Sequence, residues 1–336
     1  MTTNANHVDH QEIHTNHGEL APAGEHHGRH PAHAVNPDHA AHRDHTGHGN
    51  HGEAVPHDHV LHIDHTGRAG NQSDGAQAGH AHGAHSEHGA GLPGGLQITQ
   101  DGYTLDLDTA IAEPGGIDFR FRILGPDGVA VTEFDPIHDR ELHLIVARRE
   151  LTGFWHVHPR REDDGTWAIR LELPEAGIYR VFTDIAPRAL GRTITLGADL
   201  AVAGHYAPER VPPVNRLAEV DGYTITVDGD LRADGDLLTL TVHKDGVAVT
   251  DLQPYLAAFG HLVVLRAGDL AYVHVHPNGE PGDGVTPAGP EISFHTAVPG
   301  PGTYRLFLDF RHNDVVRTAA FTLTAAPRTS GHTSQH

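Results

Sequence analysis

Histidine is the residue whose number and spacing in this chain can do chemistry. Of 34 histidines, 21 fall between His7 and His88, many of them at every third position. The longest run is His39, His42, His45, His48 and His51. His59, His62 and His65 form a second run with His57 beside it, and His82, His85 and His88 a third. Imidazole is the commonest protein ligand for divalent transition metals and titrates near neutral pH. Gly, Pro, Asn and Asp interrupt the runs, so no helix carries them. An extended chain rising ~3.1 Å per residue would space successive histidines about 9 Å apart. The pattern therefore predicts many exchangeable sites and no single rigid centre. In each, two to four imidazoles would fold around an ion, with Asp38, Asp44, Asp58, Asp64 or water completing the shell. The alternative is an acidic, low-complexity extension that aids solubility, with histidines that ligate nothing.

Composition narrows the chemistry further. The chain has no cysteine and one methionine, Met1. Thiolate zinc sites, iron-sulfur clusters, disulfides and blue-copper centres are excluded, and the soft ligands that Cu(I) prefers are missing. Imidazole and carboxylate remain, a set suited to Zn, Ni or Cu(II). The formal charge of -21 argues against nucleic acid or an anionic membrane surface as partner. Residues 1–90 hold 11 acids against three arginines, a net charge of -8 that becomes +13 when all 21 histidines are protonated. Acidification should thus reverse the sign of this segment and release bound cations. The opening residues MTTNANHVDH resemble no export signal, and no apolar run reaches membrane-spanning length, so the expectation is a cytoplasmic protein without membrane insertion. Metal ions are the expected partners, with a metal transporter as a further one.

Elements able to position a more specific site begin after the histidine runs. From Leu96 onward, short stretches rich in Val, Ile, Leu, Thr, Phe and Tyr alternate with turn signals such as Pro126-Asp127-Gly128 and Asp245-Gly246. These are strand and turn signatures at sandwich-like intervals. The stretches recur with a period near 120 residues. Asp101-Gly102-Tyr103-Thr104 answers to Asp221-Gly222-Tyr223-Thr224, and the segment from Gly177 to Asp184 answers to Gly302 to Asp309. A period this long means two globular copies, because solenoid repeats are much shorter. The reading is all-β: a disordered His-rich tail over 1–92, two immunoglobulin-like β-sandwiches over 93–206 and 215–326, a Pro-rich linker over 207–214, and a frayed end over 327–336.

Inside each copy one histidine precedes an apolar strand, and the next strand ends in His-x-His-Pro. These are His143 with His156 and His158, and His261 with His274 and His276. Period two puts both members of each His-x-His pair on one strand face. If Arg149-Glu150 and Ala267-Gly268 are two-residue turns, His143 opposes His156 and His261 opposes His274. Directly opposed residues share a face with Cβ atoms about 5 Å apart. Three imidazoles then converge in each copy, leaving a position for water, substrate, Asp184 or Asp309. The competing reading is a hydrogen-bonded structural histidine, which duplication copies as faithfully as a ligand. His138, His205, His243, His295 and His312 have no counterpart in the other copy and read as surface residues.

The runs His143-Leu144-Ile145-Val146, Phe154-Trp155-His156-Val157-His158-Pro159 and Gly177 to Asp184 resemble bacterial YtkA/FixH-like and CopC-like immunoglobulin-like domains, which often accompany heavy-metal transport. The tail is similar to the His-rich extensions of metal-transporting ATPases and metallochaperones. CopC-like proteins are usually exported and bind copper through an N-terminal histidine, and this chain departs on both points. The combined expectation is a non-enzymatic heavy-metal binding protein acting as buffer, chaperone or resistance accessory. Two alternatives remain: a metal-dependent enzyme with a three-His site, and an interaction module with structural histidines. No phosphate loop, nucleophile elbow or H-E-x-x-H helix is present.

Overall fold

The computed structural model describes residues 92–273 and 275–327, and all of its regular elements are strands. The His-rich runs from His39 to His88, the tail proposed over 1–92 up to residue 91, His274, and the end beyond residue 327 lie outside the described residues. No helix among the described residues is long and apolar enough to cross a membrane.

The first sandwich contains β1 (Thr99–Gln100), β2 (Tyr103–Leu107), β3 (Ile111–Ala112), β4 (Gly115–Leu124), β5 (Leu142–Arg148), β6 (Phe154–Val157), β7 (Arg160–Arg161), β8 (Trp167–Leu173), β9 (Gly177–Ile185) and β10 (Ile194–Val202). One sheet has the order β1-β2-β4-β8-β7 and the other β3-β10-β9-β5-β6. The second contains β11 (Leu217–Val220), β12 (Tyr223–Asp228), β13 (Asp236–Lys244), β14 (Val247–Ala248), β15 (Gly260–Arg266), β16 (Tyr272–Val273), β17 (His276–Pro277), β18 (Glu291–Thr296), β19 (Gly302–His312) and β20 (Val315–Ala325). Its sheets run β11-β12-β13-β18-β17, with β14 beside β13, and β16-β15-β19-β20.

Both copies thus pair strands as an immunoglobulin sandwich does, and each carries that fold's tyrosine corner. Tyr179 O–H donates to the Glu175 carbonyl at 2.8 Å, and Tyr304 O–H to the Gly300 carbonyl at 2.7 Å. The phenols lie four residues downstream of their acceptors, which pins the entry to β9 and to β19.

Strand β5 reads LHLIVAR and is buried along its whole length. Period two explains how. Leu142, Leu144 and Val146 point into their own sandwich core, while Ile145 and Ala147 point the other way into a separate cluster. That cluster also holds Leu151, Phe182, Val263, Leu265, Leu270 and Phe307, so it joins the two sandwiches face to face. Phe154 stacks on Phe307 with ring centroids 4.0 Å apart and planes within 5°. Arg305 Nε donates to the Leu151 carbonyl at 3.2 Å. Strands buried on both faces lose the polar alternation of a one-sided sheet.

Candidate metal centre

The site sits at the polar end of this junction. On β5 the residue that continues the outward face of Ile145 and Ala147 is His143, and on β15 the residue that continues the face of Val263 and Leu265 is His261. His143 lies in register with Asp184 on β9, which lies in register with Thr195 on β10. His261 lies in register with Asp309 on β19, which lies in register with Thr318 on β20. Each copy therefore builds the same His-Asp-Thr row across three strands. Thr195 Oγ1 donates to Asp184 Oδ1 at 2.9 Å, and Thr318 Oγ1 donates to Asp309 Oδ1.

The hairpin register differs from the expected one. Ile145, and not His143, opposes His156, and the last ladder pair before the turn is Ala147 with Phe154. His143 is displaced two positions from its expected partner, because the loop spans Arg149 to Thr152 and Arg148 N–H bonds the Gly153 carbonyl at 2.9 Å. The second copy does the same: Leu265 opposes Tyr272, and Arg266 N–H bonds the Ala271 carbonyl at 3.0 Å. The cause is one leucine in each loop. Leu151 and Leu270 have φ of 59° and 61° and are fully buried in the junction. Burying a leucine stabilises by roughly 1.5–3 kcal/mol, which exceeds the roughly 1–2 kcal/mol cost of a left-handed non-glycine residue. An even slip preserves the face, so the imidazoles of the first copy still converge.

His143 Nδ1 lies 3.0 Å from His156 Nε2 and 3.1 Å from His158 Nε2. All three ligand atoms lie within 4.8 Å of one another, which among the described residues makes this the group suited to hold an ion. Tetrahedral Zn–N bonds near 2.0–2.1 Å separate neighbouring nitrogens by about 3.3 Å. The second ring nitrogens fix the tautomers. His143 Nε2–H donates to the Ile137 carbonyl at 2.8 Å, which leaves its Nδ1 as a lone pair. His156 Nδ1 lies 2.7 Å from Asp309 Oδ2, so its N–H points at the carboxylate and its Nε2 faces inward. A single lone pair on His143 cannot serve two ring nitrogens at 3 Å, and two facing lone pairs repel. The three inward nitrogens form a group whose spacing could hold a cation. Burial and the neighbouring imidazoles hold the His143 pKa well below its ordinary value, keeping it in the neutral form a metal requires.

The second domain supplies the opposite wall. His261 Nε2–H is shared between the carbonyls of Tyr255 and Leu256 at 2.8 and 3.0 Å, and burial pushes its pKa down to about 3. His138 adds a fifth ring, its centroid 5.1 Å from that of His261 and 6.2 Å from that of His143. A cavity of about 30 Å³ is lined by His138, His143, His156, Asp184, His261 and Tyr272, among others. That is enough space to admit a water, which needs roughly 10–15 Å³ by the same measure.

Several sequence expectations are corrected here. His276 does not join His261: it is exposed on β17 and opposes His295 in the other sheet. The ladder from β15 ends at Val273, and the chain has already crossed between sheets by His276. A three-His group like that of the first copy is therefore not formed by His261 and His276. His138, expected at the surface, is half-buried in the site on a tight turn with φ of 46°. Lack of a matching histidine in the second copy, where Leu256 stands, hid it. His312 is likewise buried. It accepts from Tyr223 O–H at 2.7 Å and contacts Asp251 Oδ1 at 3.1 Å.

Comparison with known proteins gives a family without an assigned role. The family model described as "Domain of unknown function (DUF8832)" matches residues 98–203 and 218–327. No curated protein matches the chain. Similar solved structures include Yersinia pseudotuberculosis InvD, at 13% identity over 71% of this chain and 61% of that one, with a TM-score of 0.22. Invasin, a bacterial integrin-binding protein, is 12% identical over 67% and 39% of the two chains, with a TM-score of 0.19. The D00-D0 domain of intimin is 14% identical over 66% and 100%, also with a TM-score of 0.19. The chain thus spans about three fifths of the InvD chain's length, and TM-scores this low carry no argument about function.

Proposed function

We propose that this chain, which belongs to the DUF8832 family through both of its β-sandwiches, is a non-enzymatic binding protein for a divalent transition metal such as Zn, Cu(II) or Ni. The observation that carries the reading is the convergence of His143 Nδ1, His156 Nε2 and His158 Nε2, two of them with their other nitrogen committed to a carbonyl or a carboxylate. Orientation of metal-ligating histidines by such outer partners is the general pattern of metal sites. Three neutral imidazoles favour a borderline transition ion over Ca or Mg, which take oxygen ligands. The His-rich stretch from His39 to His88 would act as a low-selectivity reservoir beside one specific site. Resemblance of the His-x-His-Pro region to CopC-like domains fits this reading.

The small cavity beside the ligands is of a size that suits an ion with a water or other small ligand. Equilibrium dialysis with Zn, followed by metal analysis, tests the proposal on the full chain and its His143→Ala/His158→Ala variant. The wild type should retain one more tightly held equivalent than the variant. Equal retention by both would assign all binding to the His-rich stretch and leave the buried histidines a structural role.

A further inference from the structure

The three candidate ligands lie in the first domain, but the group that orients one of them lies in the second. We infer that ion binding is linked to the docking of the two sandwiches through Asp309, which acts as a positioning residue. This inference rests on the metal-binding reading above.

Asp309 is on β19 of the second sandwich, and its Oδ2 lies 2.7 Å from His156 Nδ1 with both side chains about 5% exposed or less. It is fixed on its own side by Thr318 on β20. Its carboxylate selects the His156 tautomer that carries hydrogen on Nδ1. In the other tautomer the proton would sit on Nε2, where an ion must bind. His261 of the second sandwich closes the cavity from the opposite wall, its ring centroid 6.2 and 6.3 Å from those of His156 and His143. Tyr272, from β16, lines the same cavity and takes its backbone N–H to the carbonyl of Gly94 at 3.0 Å. The centre is therefore finished only when the second sandwich is seated.

Linkage is reciprocal. If docking raises ion affinity by some factor, the ion favours docking by the same factor. A docked chain holds its ion, and parting of the two domains releases it. This makes the junction the regulatory element of the site, with the apolar cluster setting the docking equilibrium and Asp309 transmitting it.

The test uses the full chain with Co(II) as probe, since a four-coordinate Co(II) centre absorbs far more strongly in the visible than hydrated six-coordinate Co(II). Affinity is read by competition with a chelator in wild type, Asp309→Asn and His143→Ala, and backbone hydrogen exchange is followed with and without Co(II). Expected results are a strong visible band lost in His143→Ala, and Asp309→Asn binding about 10–100-fold more weakly, the usual effect of losing an outer-shell partner. Co(II) should also slow exchange in β15, β19 and β20 of wild type, an effect independent of any variant's folding. Unchanged affinity in Asp309→Asn, or slowing confined to the first domain, would overturn the linkage while leaving metal binding intact. A wild-type chain with no band that depends on His143 would overturn the metal reading itself and the linkage with it.

Discussion

The buried His261 predicts a large acid sensitivity of the metal-free protein. Its imidazole is 7% exposed, its Nε2–H is held by two backbone carbonyls, and burial lowers its pKa to about 3. In the unfolded chain the same group titrates near 6.5. The native state refuses a proton that the unfolded state accepts, so the contribution is fully present above about pH 6.5 and is lost as pH falls toward 3. At about 1.4 kcal/mol per pH unit, lowering the pH from 7 to 4 should cost roughly 3 kcal/mol through this residue. Substituting His261→Gln keeps an N–H donor for the Tyr255 carbonyl and removes the titration. Urea unfolding of both proteins in chelator, at pH 7 and pH 4, isolates the effect, since the exposed histidines act alike in both. Wild type should lose roughly 3 kcal/mol more than the variant. Losses equal within about 0.5 kcal/mol would refute the claim that His261 is buried and neutral.

Other perturbations probe the junction and the limits of the site. Phe307→Ala removes the ring stacked 4.0 Å from Phe154 and should destabilise by about 3–5 kcal/mol, visible as a lowered melting temperature. Gly95→Ala should lower the melting temperature too, because φ at Gly95 is +72° and an added Cβ would collide with the Phe182 ring; a cost of about 1–3 kcal/mol is expected. His276→Ala should leave bound-metal stoichiometry unchanged, since the residue is exposed and lies in register with His295 in the other sheet. A loss of one tight equivalent in that variant would contradict the placement.

Much of the fold is legible in the residues themselves. Strand stretches, the 118-residue offset between His143 and His261 and the repeated Gly-x-Tyr entry to β9 and β19 all follow from local patterns. The shared face of His156 and His158 follows from period two. Three things do not follow. Leu151 and Leu270 extend the hairpin loops because both are buried in the apolar cluster that the two sandwiches share, a burial invisible to turn chemistry. The direction in which His143 and His261 point was encoded in the unbroken apolar run LHLIVAR, but only as two-sided burial, not as the identity of what covers the outer face. His276 parts from its copy because the second sandwich crosses between sheets earlier, and the duplicated motif cannot reveal a difference in where the ladder ends. Asp309 reads in the sequence as a fourth-position candidate for its own copy. It instead bonds a histidine of the other domain.

In the proposed function, His143, His156 and His158 hold one ion at the junction of the two sandwiches. Anomalous diffraction at the zinc edge from crystals of the zinc-loaded full chain tests it directly. A peak is expected within bonding distance, about 2.0–2.1 Å, of His143 Nδ1, His156 Nε2 and His158 Nε2, with Asp309 still bonded to His156 Nδ1. Zinc bound to the protein in solution with no anomalous peak among these three rings would contradict it.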